Sequence, residues 1–225
     1  MIKNILNLGD AALYCDFGEE VNKDVNSNVI TYFKLIREKN IKGITNITPS
    51  YNKLIVSFDL NLTSFLELKD KILNIKLTNI LDNKVKTIKI PVCCDDEFAL
   101  DIERLTKKLN LPKKEILDKY FDKEYFCYMT GFIAGMPFMG DIDEKIQLNR
   151  LETPRLKVPK GSVGITEQFS NIYTFESPGG WNIIGNTPIK VFDKLNLGKP
   201  TLINPGDKVL FYEISKKEFL NLNNE

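Results

Sequence analysis

The chain has 225 residues, and its 31 Lys and Arg against 30 Asp and Glu leave a formal net charge of +1. This near-neutral charge gives no general attraction to nucleic acids or anionic membranes, and a 43% apolar composition is typical of a folded protein. The sequence contains no histidine, which excludes a Ser-His-Asp triad, a Cys-His dyad and the H-E-x-x-H zinc motif. Any chemistry must use carboxylates, Lys, Tyr, Cys, backbone amides or the residues of a partner.

The four cysteines predict neither a disulfide framework nor a metal site. No C-x-x-C motif occurs, and the adjacent Cys93 and Cys94 are poorly placed to bridge each other. We therefore expect reduced thiols and no bound metal. No apolar run approaches the roughly 20 residues of a membrane span, and the first residues lack the apolar core of a signal peptide. These patterns predict a cytoplasmic protein without a membrane partner.

The first part of the chain predicts elements in the order ββαββαβ. Strands are predicted at 2–8, 11–17, 44–48, 53–59 and 88–92, and helices at 23–39 and 63–77. Apolar residues of the first helix recur at spacings of four, four and three residues: Val25, Val29, Phe33 and Ile36. This order, with short connections, predicts a small α+β sandwich with its helices on one face of a sheet.

The second part of the chain predicts two short helices followed by a β-rich region. The helices are expected at 98–109 and 112–121, and their mixed charge favours a solvated face over a DNA-reading role. From residue 125, Pro and Gly alternate with short β-rich runs at 163–166, 172–175, 181–184, 190–192 and 209–214. This spacing predicts a barrel or a sandwich. We place the domain boundary near residue 88, which divides the chain into 1–88 and 89–225.

The densest glycine loop runs from Gly131 to Gly140 and includes Gly135 and Pro137. It is not a P-loop, because no Lys-Ser or Lys-Thr follows its last glycine, and it lacks the dinucleotide-binding spacing. One interpretation is a tight crossover beneath a barrel. The other is a binding rim, where backbone amides approach a ligand between apolar walls formed by Phe132 and Phe138.

Two further motifs leave similar alternatives. Arg150 and Arg155 flank a proline-containing segment, and guanidinium groups suit carboxylates and phosphates, but a surface ion pair is the other interpretation. Trp181 is the only tryptophan and directly follows the Gly179-Gly180 turn. It can be interpreted as a core residue or as a platform on which a ligand stacks. Neither a carboxylate pair nor a nucleophile elbow can be assigned from spacing.

Seven segments occur in the order and spacing of a known family. They are GDAAL at 9–13, TPSYNKLIVSFD at 48–59, IPV at 90–92, GFIAGMPFMG at 131–140, RLETPRLKVPKGSVGI at 150–165, SPGGWNIIGNTP at 177–188 and PGD at 205–207. The chain thereby resembles the family of bacterial 5-oxoprolinase B subunits, also called the kinase A inhibitor or allophanate hydrolase subunit 1 family. The resemblance covers nearly the whole chain.

The resemblance implies an N-terminal α+β domain followed by a C-terminal cyclophilin-like β-barrel. It also implies a protein, inactive alone, that works with the A and C subunits of 5-oxoprolinase to hydrolyse 5-oxo-L-proline to L-glutamate with ATP and Mg²⁺. The chain has no nucleotide motif of its own, so we expect another subunit to complete the ATP site. The alternatives are a non-enzymatic inhibitor of a sensor histidine kinase and a carboxyltransferase-like module of a urea carboxylase or allophanate hydrolase system.

Within this resemblance we expect a groove that binds substrate or another anion, and the catalytic residue stays unassigned. Arginines would bind anions, aromatic side chains would form walls and glycines would present backbone amides. The predicted groove residues are Phe132, Gly135, Pro137, Phe138, Arg150, Arg155, Gly180 and Trp181.

Besides Ala134 and Met136, which stand in the glycine loop where Pro and Phe are usual, four positions depart from the family pattern. Tyr120 replaces a common His, Phe169 replaces Gln, Asn171 replaces Gly and Asn186 replaces a basic or imidazole residue. Asn tolerates left-handed backbone, so we expect Asn171 to preserve a turn. Tyr120 cannot act as an imidazole base near neutral pH. If position 120 or 186 is catalytic in relatives, the departure affects activity, whereas a structural role leaves activity intact.

Overall fold

The computed structural model describes residues 1–76 and 86–223. The chain divides into two compact units, Met1–Lys84 and Val85–Glu225. The first unit contains β1 (Asn4–Asn7), β2 (Ala12–Asp16), α1 (Lys23–Lys39), β3 (Ile44–Pro49), β4 (Lys53–Phe58) and α2 (Phe65–Leu73). Its strands pair antiparallel in the order β1-β2-β4-β3.

The first unit folds around one core to which both helices and the sheet contribute. Side chains of β2 and β4 alternate between buried and half-buried positions, as a sheet covered on one face requires. Asn22 caps α1 by accepting a hydrogen bond from the Val25 amide, and the left-handed Asn40 (φ 43°) ends this helix. The predicted α+β arrangement is confirmed, and α1 has the predicted bounds.

The second unit is a closed β-barrel with three helices and a short ribbon. Its elements are β5 (Thr87–Cys93), α3 (Ile102–Leu109), α4 (Lys113–Phe121), β6 (Glu124–Thr130), β7 (Pro137–Gly140), β8 (Arg155–Val158), β9 (Ser162–Thr166), β10 (Phe169–Ile172), β11 (Ser177–Gly179), β12 (Asn182–Asn186), β13 (Lys208–Ile214) and α5 (Lys216–Asn223). The barrel order is β10-β7-β6-β13-β5-β12-β9, and β8 pairs with β11. The predicted barrel is confirmed.

The pleat of the barrel strands separates a filled interior from an outer face that carries the candidate site. Val163, Ile165 and Met139 belong to the main core of this unit. Because neighbouring residues of a strand point to opposite faces, Gly164 and Phe138 lie on the outer face. The residue between them in the register is Asn171, which pairs with Gly164 of β9 and Phe138 of β7.

The structure corrects several element assignments. The strand predicted at 88–92 does not close the first sheet: β5 runs parallel to β13 in the barrel, with Ile88 opposite Val209. Its last four residues are all buried, as expected for a strand covered on both faces. The strand predicted at 172–175 ends at Ile172, because Thr174 turns away and its hydroxyl donates to the carbonyl of Ala134. The predicted run at 190–192 provides only an isolated bridge from Phe192 to Thr201.

Candidate functional site

Two of the predicted groove residues meet on the outer face of the barrel. Phe138 of β7 contacts Trp181, which directly precedes β12, in an edge-to-face arrangement with 5.6 Å between ring centroids. Pro137 is buried at the start of β7. Phe138 also packs against a small cluster that includes Tyr173 and Ile183. The structure therefore builds an aromatic patch from two segments that lie more than 40 positions apart in the chain.

The loop between β6 and β7 presents Phe132 to solvent. Phe132 has a positive φ of 66° and is 71% exposed. The loop is closed by its own backbone, since the Gly131 amide donates to the Met136 carbonyl at 3.0 Å. Gly135 has φ 71°, and a Cβ there would collide with the ring of Phe192. The Gly131 amide is thus used within the loop, and Gly135 permits close packing.

Arg155 is already engaged by a nearly buried carboxylate. Its two terminal nitrogens donate to Asp101, at 2.9 Å to Oδ2 and 2.6 Å to Oδ1, and the Asp101 side chain is only 4% exposed. The Asp101 Oδ2 also accepts the Ile183 amide at 2.7 Å. This bidentate ion pair connects β8, β12 and the residue before α3. The structure therefore places Arg155 in an ion pair, which is one of the two interpretations given for the arginines. Binding of a ligand anion by Arg155 stays a prediction.

Sequence reasoning missed Asp101. Its place directly before α3 is that of a helix N-cap, where Asp is favoured. The carboxylate makes no capping bond and instead binds Arg155, 54 positions later in the chain. The one local signal at this position, that of a helix cap, therefore does not indicate the partner that the fold provides.

Arg150 is exposed, and in the described part of the chain its side chain has no ion pair or hydrogen bond. The backbone beside it is fixed, because the Leu151 amide donates to the Gly180 carbonyl at 2.7 Å. Gly180 is buried against Pro154 and the Leu151 carbonyl. Arg150 is thus the predicted arginine whose guanidinium is available to a ligand.

Tyr173 and Asn171 form a buried polar layer under the aromatic patch. Burial raises the pKa of Tyr173 above its usual value of 10.0, and its hydroxyl lies beside Asn171 and the Trp181 amide. Gly179 has no room for a Cβ because it packs against this ring. The side chain of Asn171 is fully buried, and neither its amide nitrogen nor its amide oxygen makes a well-formed hydrogen bond to a described residue. The expected turn at Asn171 was wrong, since this residue lies within β10; the left-handed residue of the β9–β10 turn is Glu167 (φ 47°).

Tyr120, where the family commonly has His, lies inside the core of the second unit. It is fully buried, its hydroxyl lies 2.8 Å from the Ser170 hydroxyl, and its ring packs against Tyr125 and Phe211. Burial raises the pKa of Tyr120 well above 10.0, so this phenol stays neutral. Position 120 is therefore structural in this chain.

Asn186 and Phe169, two further residues that depart from the family pattern, lie in different parts of the second unit. Asn186 donates to the Lys160 carbonyl at 3.0 Å and lines a pocket of about 310 Å³ together with Phe98 and Phe219. Phe169 contacts the ring of Tyr128, with centroids 5.9 Å apart. Neither side chain can serve as a general acid or base, since an amide and a phenyl ring do not titrate.

The described residues offer no ligand set for a metal ion: in 1–76 and 86–223, no three His, Cys, Asp or Glu side chains form such a group. The four cysteines are free and buried. Burial raises the pKa of Cys15 and of Cys94 to about 12. Within the same described residues, every helix is too short or too polar to cross a membrane.

Comparison with known sequences identifies relatives along nearly the whole chain. A family model described as "Carboxyltransferase domain, subdomain C and D" matches residues 3–203. The 5-oxoprolinase B subunit of Bacillus subtilis is 34% identical over 227 residues, which cover 96% of this chain and 94% of that protein. The 5-oxoprolinase B subunit of Haemophilus influenzae is 30% identical, over 92% of this chain and 96% of that protein.

Solved structures share the same fold. The crystal structure of TTHA0988 superposes with a TM-score of 0.82 at 26% identity and covers 91% of this chain. This chain spans only 40% of that longer protein. Urea amidolyase of K. lactis superposes with a TM-score of 0.78 over 96% of this chain and 15% of its own. At 18% identity, the second likeness concerns the fold alone.

Proposed function

The chain belongs to the carboxyltransferase family of subdomains C and D and, within it, to the 5-oxoprolinase B subunits, and we propose that it serves as this component of an ATP-dependent 5-oxoprolinase. The observation that carries this proposal is the identity with the B. subtilis protein over nearly the full length of both chains. The complex would contain separate A and C subunits, and this chain would be inactive without them.

The proposed reaction converts 5-oxo-L-proline, ATP and water to L-glutamate, ADP and phosphate. A five-membered lactam is a poor electrophile, because amide resonance lowers the reactivity of its carbonyl carbon. Transfer of the terminal phosphoryl group of ATP to the amide oxygen activates that carbon for attack by a first water molecule. The ring C–N bond then breaks, with the nitrogen leaving as the amine, to give γ-glutamyl phosphate, and a second water molecule hydrolyses this intermediate to L-glutamate and phosphate. Such a step requires donors and cations around developing negative charge.

The proposed contribution of this chain is to bind and orient the lactam. The ring of 5-oxoproline is small, has an apolar edge of methylene groups beside its polar lactam amide, and carries one carboxylate. The Phe138–Trp181 pair and the exposed Phe132 offer apolar surface, and the guanidinium of Arg150 offers a bidentate partner for the carboxylate. The Asp101 carboxylate holds Arg155 in place next to this surface.

The described residues do not fit a Mg²⁺–ATP site of their own. The glycine loop lacks the Lys-Ser or Lys-Thr of a P-loop, and the described carboxylates do not converge as metal ligands. We therefore place nucleotide binding on another subunit of the complex and assign no step on ATP to residues of this chain.

The experiment that tests this function measures glutamate release from 5-oxoproline after mixing the full chain with the purified A and C subunits and Mg²⁺–ATP. We expect turnover that disappears when this chain is omitted. Arg150→Ala should raise the KM for 5-oxoproline about tenfold or more, because a charge-assisted bidentate contact is lost. Lys199→Ala is the matched control, since it removes another exposed cation of the same unit. Absence of turnover from subunits that are folded and bound to this chain would contradict the proposal.

A second candidate function is a carboxyltransferase-like module. The description of the matching family model favours it. Transfer of a carboxyl group from carboxybiotin, without glutamate release, would support this alternative. Inhibition of a sensor histidine kinase stays a prediction of the family resemblance.

A further inference from the structure

The sheet of the first unit ends in β3, whose outer edge has no partner strand in the part of the chain that the structure describes. In the order β1-β2-β4-β3, β3 pairs with β4, and no other strand among the described residues pairs with it. Its sequence, ITNITP, contains no charged residue, although exposed edge strands usually carry charges that prevent association with another chain. Except at Pro49, which has no amide hydrogen, and at the irregularity between Ile44 and Asn46, the backbone groups along this edge are suited to an added strand.

A crevice of about 400 Å³ lies between this edge and α1. Its apolar lining comes from α1, the following turn and β3: Phe33, Ile36, Ile41, Ile44 and Ile47. All of these except Ile36 are only partly buried against the core of the first unit. Because every second side chain of a strand faces the same side, a strand paired with β3 would place alternate side chains in this crevice.

Positive charge dominates the rim of the crevice. Three exposed cations lie within or beside the lining segments: Arg37, Lys39 and Lys42. Among the described residues none of them forms an ion pair. Glu38 is the exposed acidic residue between them, and the Asp59 carboxylate accepts two hydrogen bonds from Asn61 within its own turn. The charge complements an acidic occupant, whereas twofold pairing with a second copy would bring like charges together.

We propose that β3 and this crevice form a docking site for an extended acidic segment of a partner protein, which joins the sheet as a fifth strand. The main chain of the partner pairs with the free edge of β3. Its apolar or β-branched side chains enter the crevice at alternate positions, and its Asp or Glu side chains contact Arg37 and the neighbouring lysines. The site lies entirely within the first unit and does not depend on the enzymatic function proposed above.

The test begins with random linear peptides displayed on phage and selected on the immobilised full-length chain. The expected consensus alternates β-branched or apolar residues with Asp or Glu. The enriched peptide is then synthesised with N-methyl groups on alternate residues, in both possible phases. One phase removes the amides that face β3 and should abolish binding, while the other leaves these amides intact and should preserve binding.

Two variants of the chain locate the site. Arg37→Glu and Ile47→Lys should each weaken binding of the enriched peptide about tenfold or more, and added salt should weaken it further. The matched controls Lys199→Glu and Leu197→Lys make the same changes at exposed positions of the second unit and should bind normally. Arg37 is exposed, so its variant tests the site even if Ile47→Lys disturbs the core.

Four outcomes would overturn the proposal. These are a selection that enriches no sequence, a basic consensus, full binding by Arg37→Glu, and loss of binding in both N-methylated phases. A fifth outcome, a free chain that is dimeric in solution and becomes monomeric with Ile47→Lys, would overturn it as well by assigning this edge to a second copy.

Discussion

At the scale of single residues, Asp101 connects three segments of the second unit through one carboxylate. It binds both terminal nitrogens of Arg155 and the Ile183 amide. Asp101→Asn should lower the unfolding free energy of this unit by about 2–3 kcal/mol, because the half-buried Arg155 loses its counter-charge. Urea unfolding followed by the fluorescence of Trp181, the only tryptophan, measures this loss within the second unit.

A matched control for Asp101→Asn is Glu103→Gln, two residues along the chain. The Glu103 side chain is 87% exposed and lies 3.6 Å from Lys107, and such surface pairs contribute little. Equal unfolding midpoints for the two variants would show that the Asp101–Arg155 contact is not a structural support of the barrel.

Tyr120 illustrates how burial separates a structural residue from a catalytic one. Tyr120→Phe removes the hydroxyl that contacts the buried Ser170 hydroxyl at 2.8 Å. We expect a loss of about 1 kcal/mol in the unfolding free energy and unchanged glutamate release in the reconstituted complex. The control is the Arg150→Ala variant, which should affect turnover and leave stability unchanged. A lower kcat for Tyr120→Phe at full folding would contradict the structural role.

At the scale of elements, the β6–β7 loop depends on one left-handed glycine. Gly135→Ala should lower the unfolding free energy by about 1–2 kcal/mol, because Ala is strained at φ 71° and its Cβ meets the Phe192 ring. The measurement is again urea unfolding monitored by Trp181. In the matched control Gly131→Ala, the new Cβ meets only the mobile end of Met129 at 2.9 Å. A cost for Gly131→Ala as large as that for Gly135→Ala would contradict this account.

The sequence predicted those elements that are determined by local signals. The bounds of α1 follow from its apolar spacing, the Asn22 cap and the end at Asn40. By contrast, the strand predicted at 88–92 was counted with the elements of the first part, whereas β5 pairs with β13, more than 100 positions later in the chain. Nothing in the local pattern of a short buried strand indicates a pairing at that distance.

The same distinction applies to the candidate site. The motifs selected Phe138 and Trp181, whose ring centroids the barrel brings within 5.6 Å of each other, and their role in a binding groove stays a prediction. They did not select Asp101, whose importance comes from contacts with Arg155 and Ile183 across 54 and 82 positions of the chain. Spacing in a sequence can nominate types of side chain, but whether the Arg155 guanidinium is free or paired depends on a partner that only the fold supplies.

At the scale of the whole molecule, buried thiols and phenols make the stability of this chain sensitive to alkaline pH. In the second unit, burial raises the pKa of Cys94 to about 12 and the pKa values of Tyr120, Tyr125 and Cys127 above their usual ranges. All four groups are neutral when protonated. Below their unfolded pKa values both states hold these protons, so the stability they contribute is complete and does not change with pH.

Above pH 9, the unfolded chain releases the Cys94 proton while the folded chain retains it up to about pH 12. The unfolded state then binds fewer protons, so the unfolding free energy falls as pH rises, by up to about 1.4 kcal/mol per pH unit for this one group. Cys94→Ala should therefore flatten the pH dependence of the Trp181-monitored unfolding free energy between pH 9 and 12 and leave its slope between pH 6 and 8 unchanged. Parallel curves for the variant and the native chain across the alkaline range would mean that the Cys94 thiolate forms as readily in the folded protein as in the unfolded one.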